Sequence, residues 1–126
     1  MKEKNILIAD DEKSIRELYK ERLSGSGFNV FFAKDGNEAL DLTHKEKPIL
    51  ALLDIMMPNK SGMEVLEQIK KDPTVSNTTV GILTVLDEET IQNKAFELGA
   101  KYYLVKSRVT PHGSFRDYKK RSISRR

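Results

Sequence analysis

Five short apolar runs alternate along this chain with stretches of helical spacing, and that alternation limits the fold more than any other feature. The runs are Asn5–Ala9, Phe28–Phe32, Ile49–Leu53, Thr79–Thr84 and Tyr102–Val105. Apolar residues fill them almost continuously, as expected of strands covered on both faces in a parallel sheet. Between them, Ser14–Ser24 sets Ile15, Leu18, Tyr19 and Leu23 on one helical face, and Gly25 and Gly27 end it. Asp35 reads as the N-cap of a helix reaching Glu46, with Ala39 and Leu40 inward. Pro48 closes that helix and opens the third run. Ser61, with Glu64 three residues on, is a capping box, and Met63, Val65, Leu66 and Ile69 are the apolar positions of the helix it starts. A fourth helix covers Glu88–Leu98 and stops at Gly99. The pattern predicts an α/β fold, a doubly wound five-stranded parallel sheet with helices on both faces.

In such open sheets, ligands bind beyond the carboxyl ends of the strands, where strand order reverses. The chemistry-bearing residues stand there. The first run ends in Asp10-Asp11-Glu12, the third in Asp54, the fourth in Thr84 and the fifth in Lys106. Parallel strands bring these ends to one edge. Crowded ionised carboxylates repel one another and need a positive partner. An all-oxygen donor set suits a hard cation such as Mg2+, which takes one or two carboxylates together with phosphate oxygens. Lys106 adds a point charge for an anion, Thr84 a hydroxyl donor, and Asp54 a carboxylate able to attack phosphorus. Each has an ordinary explanation when taken alone: an Asp after a strand is usually a turn or a cap, Thr84 a strand end, Lys106 a surface lysine. Their joint placement at the ends of successive strands points instead to phosphoryl transfer onto an aspartate.

These residues resemble the receiver family of two-component response regulators, of the single-domain, chemotaxis-regulator type. The matching segments are Ile6-Leu-Ile-Ala-Asp-Asp-Glu12, Asp35-Gly-Asn-Glu-Ala-Leu40, and Leu52-Leu-Asp-Ile-Met-Met-Pro58 with Gly62. Ile82-Leu-Thr84, Leu98-Gly-Ala100 and Tyr103-Leu-Val-Lys106 complete an ordered set spanning residues 4 to about 107. The resemblance implies a flavodoxin-like (βα)5 fold and a signalling switch rather than a dedicated enzyme. It implies that Asp54 accepts the phosphoryl group from a sensor histidine kinase or phosphotransfer protein. Asp10, Asp11, Asp54 and the backbone carbonyl of Met56 would hold Mg2+. Thr84 and Lys106 would hold phosphoryl oxygens. Tyr103 would be the switch aromatic that turns inward as Thr84 moves toward the phosphate. Pro58 and Gly62 would shape the loop after Asp54. Phosphorylation would then favour a minor active conformation, read by a downstream protein on the surface of helix four, strand five and helix five.

The sequence departs from that pattern in places. Val85 stands after Thr84 where the family usually has a small residue, and Ser107 follows Lys106 where it usually has proline. Met56 and Leu86, two beyond Asp54 and Thr84, are apolar and disfavour an attacking water, so slow self-dephosphorylation is expected. Thr110-Pro111 reads as the start of a fifth helix, but the residues from His112 onward offer only Phe115, Tyr118 and Ile123 as apolar positions. In another triplet phase, suitable codons from His112 onward spell Met-Glu-Val-Ser-Glu-Ile-Ile-Lys-Lys-Asp-Leu, an amphipathic fifth helix. A frame change is one account of this segment and a short native basic tail is the other. The expected division is a receiver core over 1–107 and an atypical basic segment over 108–126.

Charge follows the same division. Residues 107–126 carry seven Lys or Arg and one acid, Asp117, so the formal +3 of the chain is +6 there and −3 (15 basic, 18 acidic) elsewhere. No DNA-binding motif accompanies the basic residues, and direct nucleic-acid binding is not expected. No apolar run approaches the ~20 residues of a membrane span, and cysteine is absent, which permits the expected cytoplasmic location; a monomer or weak dimer is what the resemblance implies, since the family's common dimer surface uses the fifth helix. Two other readings compete with the switch. A phosphate-independent interaction module of the same fold draws on Val85 and Ser107. An aspartate-based hydrolase would want a second acid where Met56 stands.

Overall fold

The computed structural model describes residues 2–106 and the backbone at 119–120. In chain order the elements are β1 (Lys2–Ala9), α1 (Lys13–Leu23), β2 (Asn29–Ala33), α2 (Gly36–Glu46), β3 (Pro48–Leu53), α3 (Gly62–Lys71), β4 (Thr79–Thr84), α4 (Glu89–Leu98), β5 (Tyr102–Val105) and β6 (Lys119–Lys120). The sheet order is β2-β1-β3-β4-β5-β6. The first five strands are parallel, as the alternation predicts.

Each strand alternates its side chains between two apolar layers. Leu7, Ala9, Ala51, Leu53, Val80, Ile82, Tyr103 and Val105 bury against Ala39 of α2, Val65, Leu66 and Ile69 of α3, and Ala95 of α4. On the other face Ile6, Ile8, Leu52, Leu83 and Leu104 pack with Tyr19, Ile15 and Leu23 of α1. This two-sided burial is why the strands read as continuous apolar runs instead of alternating ones.

The helix caps follow the sequence signals. Asp35 accepts the amide of Glu38 at 2.8 Å. Ser61 and Glu64 make the full capping box, with Ser61 Oγ accepting from Glu64 N at 3.2 Å and Glu64 Oε1 from Ser61 N at 2.9 Å.

Three differences from expectation stand out. β1 starts at Lys2, whose backbone pairs with Pro48 across a register irregularity. β2 starts one residue later than its apolar run, leaving Phe28 44% exposed. β6 pairs antiparallel with β5, Lys119 opposite Tyr103 and Lys120 opposite Tyr102. Backbone pairing of Lys residues leaves no mark in an apolar pattern. The rest of the expected fifth helix, and Ser107 with the bond before it, lie outside the described residues.

Candidate functional site

β1 and β3 are neighbours at the point where strand order reverses, and the ladder runs one residue past each. Asp54 N donates to Ala9 O and Asp10 N to Ala33 O, both at 2.9 Å. These two bonds fix Asp10 and Asp54 side by side at the carboxyl edge. Asp10 is fully buried and Asp54 nearly so. Asp10 Oδ1 accepts the amide of Glu12 at 2.9 Å, and Arg16 clasps the Asp10 carbonyl at 2.8 Å.

The loop after Asp54 is clamped from two sides. Gly62 N donates to Ile55 O at 3.0 Å. A Cβ on Gly62 would lie 2.2 Å from Asp54 O, so only glycine fits there. On the far side Gly36 N donates to Pro58 O at 3.3 Å, and Asn59 Nδ2 donates to Asp35 Oδ2 at 3.0 Å. The N-terminus of α2 thus holds the loop that leaves the site.

Lys106, at the end of β5, reaches back across the edge. Its Nζ donates to Asp54 Oδ2 at 3.0 Å and to Glu12 Oε1 at 2.8 Å. It also lies 2.9 Å from Asp10 Oδ2, an ion pair without the alignment of a hydrogen bond, since that oxygen has no aligned donor. Burial pulls the Lys106 ammonium toward deprotonation, but its contacts with the carboxylates of Glu12, Asp10 and Asp54 outweigh this and raise its pKa above the usual range. Burial raises the pKa of Asp10, against the lowering effect of Lys106 and the Glu12 amide.

Asp10, Asp11 and Asp54 each offer an oxygen, all within 4.8 Å of one another. A hard-cation set needs oxygen donors at this closeness, with charge left over to neutralise. The buried Asp10 oxygen without an aligned donor fits that requirement. Met56 presents its amide to Asp54 Oδ1 at 3.4 Å, and its side chain, like that of Val85, is exposed.

Thr84 is buried at the end of β4, and its Oγ1 accepts the amide of Leu86 at 3.5 Å. The Leu86 carbonyl in turn accepts from Tyr103 Oη at 2.8 Å. Tyr103 is fully buried and makes a tilted contact with Phe96 at 6.3 Å. Burial, then the charges of Asp87, Glu88 and Asp54, push its phenol up to about 12. The ring expected to turn inward on phosphorylation is already inward here.

The sequence-predicted residues Asp10, Asp11, Asp54 and Lys106 therefore converge, with Thr84 and Tyr103 linked through Leu86. Glu12, as a partner of Lys106, went unpredicted. It was visible only as the third acid of a run, and nothing in the spacing says which acid a lysine 94 residues on will meet.

The response regulator receiver domain profile matches residues 6–111. The chain belongs to the response regulator receiver family. Two curated relatives are described as probable transcriptional regulators ycf27. The one from Galdieria sulphuraria is 45% identical over 105 residues, 83% of this chain and 40% of its own. The one from Guillardia theta is 46% identical over 101 residues, 80% of this chain and 39% of its own. The chain thus spans about two fifths of these relatives. Among solved structures, the Mn(2+)-bound form of response regulator Rcp1 superposes with a TM-score of 0.77 at 33% identity, covering 83% of this chain and 82% of that one. The Vibrio cholerae chemotaxis protein CheY4 does so at 0.79 and 27%, covering 88% and 92%. Among the described residues, no helix is long and apolar enough to cross a membrane.

Proposed function

We propose that this receiver domain is a phosphorylation-dependent switch whose acceptor is Asp54. The observation that carries the reading is the joint placement of Asp10, Asp11 and Asp54 around one point, with Lys106 on two of them. A sensor histidine kinase or phosphotransfer protein donates the group. An Asp54 carboxylate oxygen forms the new O–P bond as the P–N bond of the donor's phosphohistidine breaks. The imidazole nitrogen leaves with the bonding pair and takes a proton.

Asp10, Asp11, Asp54 and the Met56 carbonyl would hold Mg2+, which would supply charge neutralisation to the transferring oxygens. The Mn(2+)-bound form of the similar response regulator Rcp1 supports divalent-cation binding by this fold. Lys106 and the Thr84 hydroxyl donate to phosphoryl oxygens. Any movement of Thr84 pulls on Leu86 and, through its carbonyl, on Tyr103. The inward Tyr103 is then the conformation that phosphorylation favours over alternatives.

The work is done by a receiver core of residues 1–107 in the cytoplasm, acting through a downstream protein as a monomer or weak dimer. Residues 108–126 form the atypical basic segment. The ycf27 relatives point to transcription as the output, served by a DNA-binding partner or attached domain and not by direct contact of this core with nucleic acid. Met56 and Leu86, two beyond Asp54 and Thr84, are apolar and disfavour water attack on the acyl phosphate, so the adduct lasts minutes or longer, and a half-life of seconds would count against the site described.

The test is an intact mass after incubation with Mg2+ and phosphoramidate. A single phosphoryl adduct is expected on the parent and none on Asp54→Asn. Adducts on both proteins would place the acceptor elsewhere, and none on either would leave a phosphate-independent module.

A further inference from the structure

Glu12 takes no part in the reaction above, yet it is the shortest of the three carboxylate contacts of Lys106. Nζ lies 2.8 Å from Glu12 Oε1, against 2.9 Å from Asp10 Oδ2 and 3.0 Å from Asp54 Oδ2. An ammonium group has three N–H donors and no more. Two of them lie on Glu12 and Asp54, Asp10 Oδ2 crowds the ammonium at 2.9 Å, and the side chain is only 9% exposed, so a phosphoryl oxygen reaches Lys106 only by displacing a carboxylate. One contact has to be given up.

Two of the three are held in place. Asp10 and Asp54 are buried at the ends of strands, tied by the ladder bonds to Ala33 and Ala9. Glu12 is different. Its side chain is 56% exposed. It sits at the N-cap of α1 in extended backbone conformation and makes no capping bond with its side chain. Its carboxylate can swing into water with no backbone change.

We propose that Glu12 is an internal competitor for Lys106, a carboxylate that holds the ammonium in the resting site and yields it to a phosphoryl oxygen on Asp54. It is a positioning residue: it touches no reacting atom and acts only by where it keeps Lys106. The proposal rests on the phosphoacceptor reading and adds a brake to it. The same contact, broken, frees a donor aimed at the site.

The experiment follows adduct formation over time by intact mass, on the full chain with saturating Mg2+ and phosphoramidate. Glu12→Gln removes the charge and keeps the shape. Glu12→Asp keeps the charge and draws it back from Lys106 by one methylene. Both are expected to speed adduct formation roughly two- to fivefold, the scale of one partly exposed ion pair. If Glu12 acts through Lys106, neither change accelerates the reaction in a Lys106→Ala background. Asp is a favoured N-cap residue, so Glu12→Asp carries the test even if Glu12→Gln folds poorly. Rates equal to or below the parent's in Glu12→Asp would overturn the proposal. So would equal acceleration by Glu12→Gln with and without Lys106, which would mean a general field effect. A parent that takes no adduct would overturn the phosphoacceptor reading and this role with it, whereas a reactive parent with unchanged Glu12 variants would sink Glu12 alone.

Discussion

Lys106 is the only basic side chain paired with the buried acids Asp10 and Asp54 among the described residues. Buried ion pairs are poor net stabilisers, but removing one partner strands the other charges. In Lys106→Ala, Asp10 and Asp54 stay buried without a cation. A loss of about 3 kcal/mol is expected at neutral pH without divalent metal. The sign with pH is fixed by the same argument. Burial raises the pKa of Asp10, so without its cation this acid lowers stability where it is forced to ionise, and the deficit shrinks as the pH falls and it protonates. Urea unfolding of parent and variant at pH 7 and at pH 5 checks both points. A deficit that grows on acidification would contradict the stranded-charge account.

At the scale of elements, α3 is held by its cap and its glycine. Ser61→Ala removes one half of the capping box beside the loop from Asp54, and about 1 kcal/mol of stability should go with it, seen as a lower thermal midpoint. α2 is tied to the C-cap of α3 by a different pair. His44 Nε2 meets Asp72 Oδ2 at 2.7 Å, while His44 Nδ1 lies 3.0 Å from Leu40 O. The bond to Asp72 raises the pKa of His44 above its usual 6.5. The bonds from His44 and Thr74 lower Asp72 from 3.8 to about 2. A raised histidine contributes fully below its unfolded value and loses that contribution as the pH rises through its folded value. A lowered aspartate contributes above its unfolded value and loses it as the pH falls toward 2. The pair therefore stabilises most between about pH 4 and about pH 6.5. The difference in thermal midpoint between parent and His44→Gln should peak in that window and fall off on both sides. A difference independent of pH would show that the pair contributes through packing alone.

For the whole molecule, a site crowded with carboxylates makes folding and metal binding one equilibrium. Metal that binds only the folded chain adds about 2.7 kcal/mol at a hundredfold excess over its Kd. Mg2+ should raise the thermal midpoint of the parent, and a chelator should reverse it. Asp11→Ala should lose most of that rise, because Asp11 is the exposed member of the three-acid group and carries little of the fold itself. An undiminished rise in Asp11→Ala would remove Asp11 from the ligand set.

Much of this molecule is written locally. Strand burial on both faces leaves continuous apolar runs, and capping leaves Asp35 and the Ser61–Glu64 pair, so the sequence alone determined four of the helices, all five parallel strands and the edge where the acids meet. Asp10, Asp54, Thr84 and Lys106 were legible because a parallel sheet sends every strand end to one side. The tertiary structure decided what spacing cannot carry. The extension of β1 to Lys2 and the addition of β6 rest on backbone bonds that ignore side-chain type. The inward seat of Tyr103 depends on a carbonyl at Leu86, and the loop after Asp54 on the space that Gly62 leaves. The pairing of Glu12 with Lys106 joins residues distant in sequence, because a lysine stem chooses among acids by distance and burial, which exist only once the strands lie side by side.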